Sequence, residues 1–134
     1  MTRIAAIIPA YNEARRIEQV LRPLHQTDFL SKIIVVDDGS LDNTAHIVEA
    51  LAGIDNRIQV VVHTHNEGKG GAVRTGLRLC RADHEAVLML DADLFGMQTE
   101  HNQDVKIFAF FTCKHAANTR ILTESVFQRY NQRR

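Results

Sequence analysis

Four short apolar runs constrain this chain more than any other feature. Ile4–Ile8, Ile33–Val36, Ile58–Val62 and Ala86–Leu90 begin 29, 25 and 28 residues apart. Each is nearly continuous rather than alternating, as in strands covered on both faces. Stripes at helical spacing lie between them. Ile17, Val20, Leu21 and Leu24 form the first, and Thr44, Ile47, Val48 and Leu51 the second. Ala72, Val73, Gly76, Leu77 and Cys80 form the third. Ser40 and Asp42 stand where the second helix would be capped. A β-α-β-α-β-α-β order requires right-handed crossovers. The expected class is α/β, an open parallel sheet with helices on both faces.

A chain of 134 residues, 45% hydrophobic, has the size and core of one domain. Its formal net charge is zero, which argues against a nucleic-acid partner. Cys80 and Cys113 lack metal-ligand spacing and read as thiols of a reducing compartment. No apolar run reaches the length of a membrane span, and "MTRIAAIIPAYNE" does not read as a signal peptide. A cytoplasmic location is expected.

The character changes after Gly96. The last 38 residues hold no glycine or proline, but five of the eight aromatics: Phe108, Phe110, Phe111, Phe127 and Tyr130. Helices are expected near Glu100–Thr112 and Thr119–Tyr130. The division is therefore a strand-and-helix unit over 1–100 and a divergent helical tail over 101–134.

Ligands of open parallel sheets bind outside the carboxyl ends of the strands, so the residues after each run carry the functional signal. After the first run comes "PAYNEA", with Pro9, Tyr11, Asn12 and Glu13. A capped helix start alone explains that stretch. After the second comes "VVDDGSLDNT". Asp37 and Asp38 are adjacent carboxylates that repel unless a positive or hydrogen-bonding group arrives, and such a group can belong to a base or ribose. After the third comes "HTHNEGKGGAVRTG". Gly68, Gly70 and Gly71 flank Lys69 at a helix start, a combination that suits a diphosphate. His63 and His65 have i, i+2 spacing but no evident third metal ligand, and read as surface histidines. After the fourth come Asp91 and Asp93, which share one side of an extended backbone. Hard carboxylate oxygens suit Mg2+ or Mn2+ held jointly with substrate phosphates. Each signal is weak alone. All four fall at one edge of one sheet.

"AAIIPAYNEA", "IIVVDDGSLDNT", "NEGKGGAVRTG" and "LMLDADL", in this order, resemble the nucleotide-binding half of family 2 glycosyltransferases over roughly residues 1–100. The "NEGKG" segment is similar to the branch of polyprenyl-phosphate glycosyltransferases and glucosyl-phosphoglycerate-type synthases. The resemblance implies a GT-A fold with strand order 3-2-1-4. It implies inverting, metal-assisted sugar transfer from a UDP- or GDP-sugar. Pro9, Tyr11 and Glu13 would line the nucleoside pocket. Asp38, with Asp37 beside it, would reach base or ribose, and Lys69 the diphosphate. Asp91 would reach ribose or metal, and Asp93 would be the main ligand of Mg2+ or Mn2+. The acceptor would be a polyprenyl phosphate or a small phosphate-bearing molecule, met in the cytoplasm or at the inner membrane face.

The resemblance ends near the tail. From Lys106 onward no family motif is found, and the catalytic base has no assigned residue. The chain therefore reads as a truncated member. The alternative reading is a catalytically incompetent remnant or interaction module that keeps only donor binding. A fourth strand left as an open edge would invite homodimerisation.

Overall fold

The first apolar run becomes the centre of the sheet. In a computed structural model, which describes residues 3–80, 84, 86–90, 92, 109–112 and 121–122, β1 (Ile4–Ala10) is buried at all seven positions. It pairs in parallel with β2 (Leu30–Asp37) on one side and β4 (Ala86–Met89) on the other. β2 in turn pairs in parallel with β3 (Ile58–Val62). The expected order 3-2-1-4 is what the structure has.

Alternation along the strands sorts the core into two layers. Ile4, Ala6, Ile8, Ile33, Val35 and Leu88 face α1 (Ile17–His25) and α2 (Thr44–Ala52). Ala5, Ile7, Ile34, Val36 and Val87 face α3 (Gly68–Cys80). Right-handed crossovers dictate this split. The chain steps outward from β1 to β3 with both helices on one face. It then reverses past β1 to reach β4, so α3 must cover the other face. The reversal falls between β1 and β4.

The α1 stripe read from the sequence is the buried face of that helix, with Ile17, Val20, Leu21 and Leu24 all covered. The α3 stripe is only partly so: Leu77 is exposed, whereas Gly71 joins Ala72, Gly76 and Cys80 in the interior. Gly76 marks the closest approach of α3 to the sheet. A Cβ built there would lie 2.5 Å from Ile7 Cγ2. Gly76→Ala gains about 1 kcal/mol of helix propensity but forces Ile7 or the helix to move, at about 1–3 kcal/mol. A net loss is expected, read as a lower urea midpoint at unchanged m-value. A raised midpoint would refute the packing argument.

At the amino edge of the sheet, Arg57 closes the turn between α1 and β2. Its guanidinium donates to the carbonyls of Leu24, His25, Thr27 and Leu30 at 2.7–3.1 Å. It also takes the Asp55 carboxylate through Nε (3.0 Å) and Nη2 (2.8 Å). Two of these carbonyls end α1, where helices lack internal donors. Asp55, only 6% exposed, accepts in addition from His25 Nδ1 at 2.9 Å. Hydrogen bonding to Arg57, working against burial, holds the Asp55 carboxyl well below the usual range.

The tail corrects an expectation. Ala109–Thr112 and Ile121–Leu122, read from the sequence as helical, are strands β5 and β6. β5 pairs antiparallel with β4, Leu88 opposite Phe110, and β6 pairs antiparallel with β5. The physical reason is the edge of β4. Its unpaired backbone groups need partners, and a Phe- and Thr-containing run suits a strand. The edge on which homodimerisation was argued is thus covered within the chain. The remaining tail positions lie outside the described residues. Among the described residues, no helix is long and apolar enough to cross a membrane.

Candidate functional site

Backbone bonds carry the strand ladders past the strand ends and bring the exits of the four parallel strands together. Asp38 N donates to Ala10 O at 2.8 Å, and His63 N to Asp37 O at 2.8 Å. On the far side of β1, Leu90 N donates to Ile7 O at 3.0 Å. The chain thus leaves β1, β2 and β4 at one edge, on either side of the reversal in strand order.

The loops after β1 and β2 are stitched to each other. Three consecutive amides of the first loop each find a side-chain oxygen of the second. Asn12 N donates to Ser40 Oγ (2.9 Å), Glu13 N to Thr44 Oγ1 (2.9 Å) and Ala14 N to Asp42 Oδ2 (3.1 Å). Leu41 N returns the contact to Asn12 Oδ1 at 2.8 Å. Asn12 takes φ +52°, a left-handed conformation that Asn tolerates better than most residues. Asp42 Oδ1 also accepts from Thr44 N at 3.0 Å, and from its hydroxyl, at the start of α2. Ser40 and Asp42 were expected to cap α2, but the residue at its cap is Asn43, which makes no side-chain cap bond. Ser40 serves the loop contact instead, and Asp42 joins that contact to the Thr44 amide.

Of the residues expected at the site, Pro9 is buried in β1 opposite Val36, and Tyr11 stands 44% exposed just beyond it. Glu13 is half-buried, with Arg16 Nη1 at 3.7 Å from its carboxylate. Its carbonyl receives the amides of Arg16 and Ile17 at 2.9 Å, opening α1. Asp37 is buried, and its carboxylate accepts from Ser40 N at 3.0 Å to shape the turn. Gly39 completes that turn at φ +74°, with room only for hydrogen: a Cβ would meet His65 C at 2.8 Å and Asn66 N at 2.9 Å. The loops after β2 and β3 are therefore in contact. Lys69 follows Gly68 on the first turn of α3 and is exposed.

Asp38 is 4% exposed and lies at the join. Its Oδ1 accepts from Glu67 N at 2.8 Å and lies 2.8 Å from His63 Nδ1. Burial pushes its carboxyl up, but the Glu67 amide and His63 outweigh it and hold it below the usual range. His63 is not a surface histidine as expected. Its side chain is 9% exposed and lies between Asp38, Glu67 and Thr75. Strand register supplied the missed signal. Asp37 pairs with Val62, so the residue after each must be a neighbour. His65, by contrast, is exposed.

Asp91 and Asp93 lie outside the described residues. Leu90 and Ala92, which flank Asp91, are buried in the same layer as Ala10. Among the described residues, no group of three His, Cys, Asp or Glu side chains is placed to hold a metal ion.

The carboxyls of Asp38, Asp42 and Asp55 all sit below their ordinary value. For Asp42 the cause is hydrogen bonding from Thr44 and Ala14, which exceeds the opposing effect of burial. A depressed folded value stabilises the fold above the ordinary Asp pKa, about 3.9. That contribution is lost as pH falls through the depressed value. The thermal midpoint is expected to be level from pH 7 to 5 as far as these groups decide it, and to fall steeply below pH 4. Asp55→Asn should flatten the acid limb. An unchanged acid limb would exclude Asp55 as a source.

Comparison with known proteins places this geometry. The model described as "Glycosyl transferase family 2" matches residues 5–99. A dolichyl-phosphate beta-glucosyltransferase of Trichomonas vaginalis is 37% identical over 99 residues, covering 67% of this chain and 30% of that protein. An undecaprenyl-phosphate 4-deoxy-4-formamido-L-arabinose transferase of Proteus mirabilis is 34% identical over 99 residues, 70% of this chain and 30% of its own. Among solved structures, a mannosyltransferase from Pyrobaculum calidifontis in complex with GDP-Man and Mn2+ superposes with a TM-score of 0.61. It is 34% identical, and the match covers 67% of this chain and 27% of that one. The chain thus spans about 30% of the length of the curated relatives it matches.

Proposed function

The chain belongs to glycosyl transferase family 2, and from that premise we propose that its strand-end site binds a nucleoside-diphosphate sugar for inverting sugar transfer to a phosphate-bearing acceptor. The observation that carries the reading is the convergence of Tyr11, Asp38 and the amino end of α3. They meet at the carboxyl edge of the sheet, next to the reversal between β1 and β4. Ligands of such sheets bind there.

In this reading Pro9 and Tyr11 give the nucleoside a flat wall, with Glu13 at its border. Asp38 accepts a base N–H or ribose hydroxyl, its backbone fixed by Asp37 and Gly39. Lys69 and the first-turn amides beyond Gly68, whose own N–H goes to Asn66 Oδ1 at 3.0 Å, face the diphosphate, where a helix amino terminus favours negative charge. Asp91 and Asp93 form a donor set that fits Mg2+ or Mn2+ shared with phosphate oxygens. When bound, such an ion offsets charge developing on the departing diphosphate. The stitched loops hold the wall and Asp38 in fixed relation, so little ordering is left to occur on binding.

The names of the relatives support a polyprenyl phosphate as acceptor. An ionised phosphate oxygen attacks the anomeric carbon in line without needing a base to deprotonate it. Calorimetry with UDP, GDP and their sugars, with and without Mn2+, tests the donor site. Tighter binding in Mn2+ is expected for one of the two bases, and equal, undetectable heats throughout would end the proposal. Radiolabel transfer to a polyprenyl phosphate separates transfer from binding alone.

A further inference from the structure

We infer that His63 is a positioning residue for nucleoside recognition, holding the Asp38 carboxylate in the orientation that meets the base or ribose. The inference rests on the donor-site reading above and extends it to a residue outside the ligand contacts. His63 Nδ1 lies 2.8 Å from Asp38 Oδ1 and 3.1 Å from Glu67 Oε2. A ring nitrogen set against two carboxylate oxygens carries the proton and donates. The other nitrogen, Nε2, is 2.8 Å from Thr75 Oγ1, whose one hydroxyl proton is shared between this nitrogen and Gly71 O at 3.1 Å. Imidazole orientation is therefore fixed from both sides.

The chain of contacts has a direction. Gly71 and Thr75 belong to α3, whose first turn faces the proposed diphosphate. Asp38 follows β2, on the nucleoside side. His63, directly after β3, ties the two. Two donors, the ring of His63 and the Glu67 amide, converge on Oδ1 of Asp38. The carboxylate is pinned through one oxygen, and the other is the one assigned to the ligand. Without the ring, Asp38 is tethered only by backbone amides, those of Glu67 and Gly68, and gains rotational freedom. A preorganised acceptor then becomes one that must be ordered on binding.

Positioning predicts a selective defect. His63→Ala should weaken the preferred nucleoside diphosphate about tenfold or more, the scale of one charge-assisted hydrogen bond. Binding of inorganic pyrophosphate, which has no base or ribose for Asp38, should stay within about twofold. His63→Gln, whose amide can still reach Asp38, should recover part of the loss. The experiment is calorimetry of UDP, GDP and pyrophosphate, each in Mn2+, on the whole chain and its variants. Equal losses for nucleotide and pyrophosphate would mean a general structural role and overturn the inference. So would unchanged nucleotide affinity. Should His63→Ala not fold, Thr75→Val, which removes the Nε2 and Gly71 contacts of the hydroxyl and leaves both Nδ1 contacts of His63, decides on the same contrast. If the wild-type chain binds pyrophosphate but neither nucleotide, the donor-site reading fails and takes this inference with it.

Discussion

Replacing Arg57 with Ala is expected to lower the thermal midpoint by about 12 °C or more. The guanidinium, 19% exposed, spends every N–H on a partner: four carbonyls and both oxygens of Asp55. Its removal leaves the covered Asp55 carboxylate with His25 as its remaining side-chain partner, and takes one donor each from the Leu24 and His25 carbonyls at the end of α1. Breaking a buried pair from one side costs about 3–5 kcal/mol. In a domain of this size each kcal/mol moves the midpoint by about 4 °C. Arg57→Lys should recover only part, because three donors on one nitrogen cannot span four carbonyls and a carboxylate. The double change Arg57→Ala with Asp55→Ala should cost less than the sum of the singles, since it removes the orphaned charge. A midpoint within about 2 °C of wild type for Arg57→Ala would show the clamp to be dispensable.

That clamp was invisible in the sequence, whereas the fold around it was not. Continuous apolar runs and 3.6-residue stripes report burial directly, so β1 to β4 and the three helices were legible. The order 3-2-1-4 came with the family resemblance. Arg57 lies in a short turn with no periodicity, and its carbonyl partners are backbone atoms that every residue possesses. His63 was misread for a related reason. Its burial depends on parallel register between β2 and β3, a long-range fact, although Asp37 opposite Val62 could have been anticipated. The helices expected in the tail failed at Ala109–Thr112 and Ile121–Leu122 because local composition was asked to decide a question settled there by the β4 edge. Asp38 was singled out because adjacent acids lack a sufficient local explanation, whereas Gly39 was not. The glycine proved to be required by the His65 backbone.

The second large effect belongs to Asp93. In Asp93→Ala, the gain in nucleoside-diphosphate affinity conferred by Mn2+ is expected to disappear, a loss of about thirtyfold or more in metal. Metal-free affinity should remain within about twofold. The argument is one of ligand number. A hard divalent ion shared with a diphosphate takes only one or two carboxylates from the protein. Asp93 is assigned as the main protein ligand of the pair, so its removal leaves Asp91, the phosphate oxygens and water to hold the ion, and the coupling between ion and nucleotide is lost. Asp38→Ala should behave differently. Its carboxylate is assigned to the nucleoside, so affinity should fall alike with and without Mn2+, while pyrophosphate binding in Mn2+ is retained. The two variants thus separate the two ends of one ligand. Retention of the full Mn2+ effect in Asp93→Ala would remove the Asp-x-Asp pair from the site. What remained would be a nucleoside pocket whose diphosphate is held by Lys69 and the amino end of α3 alone.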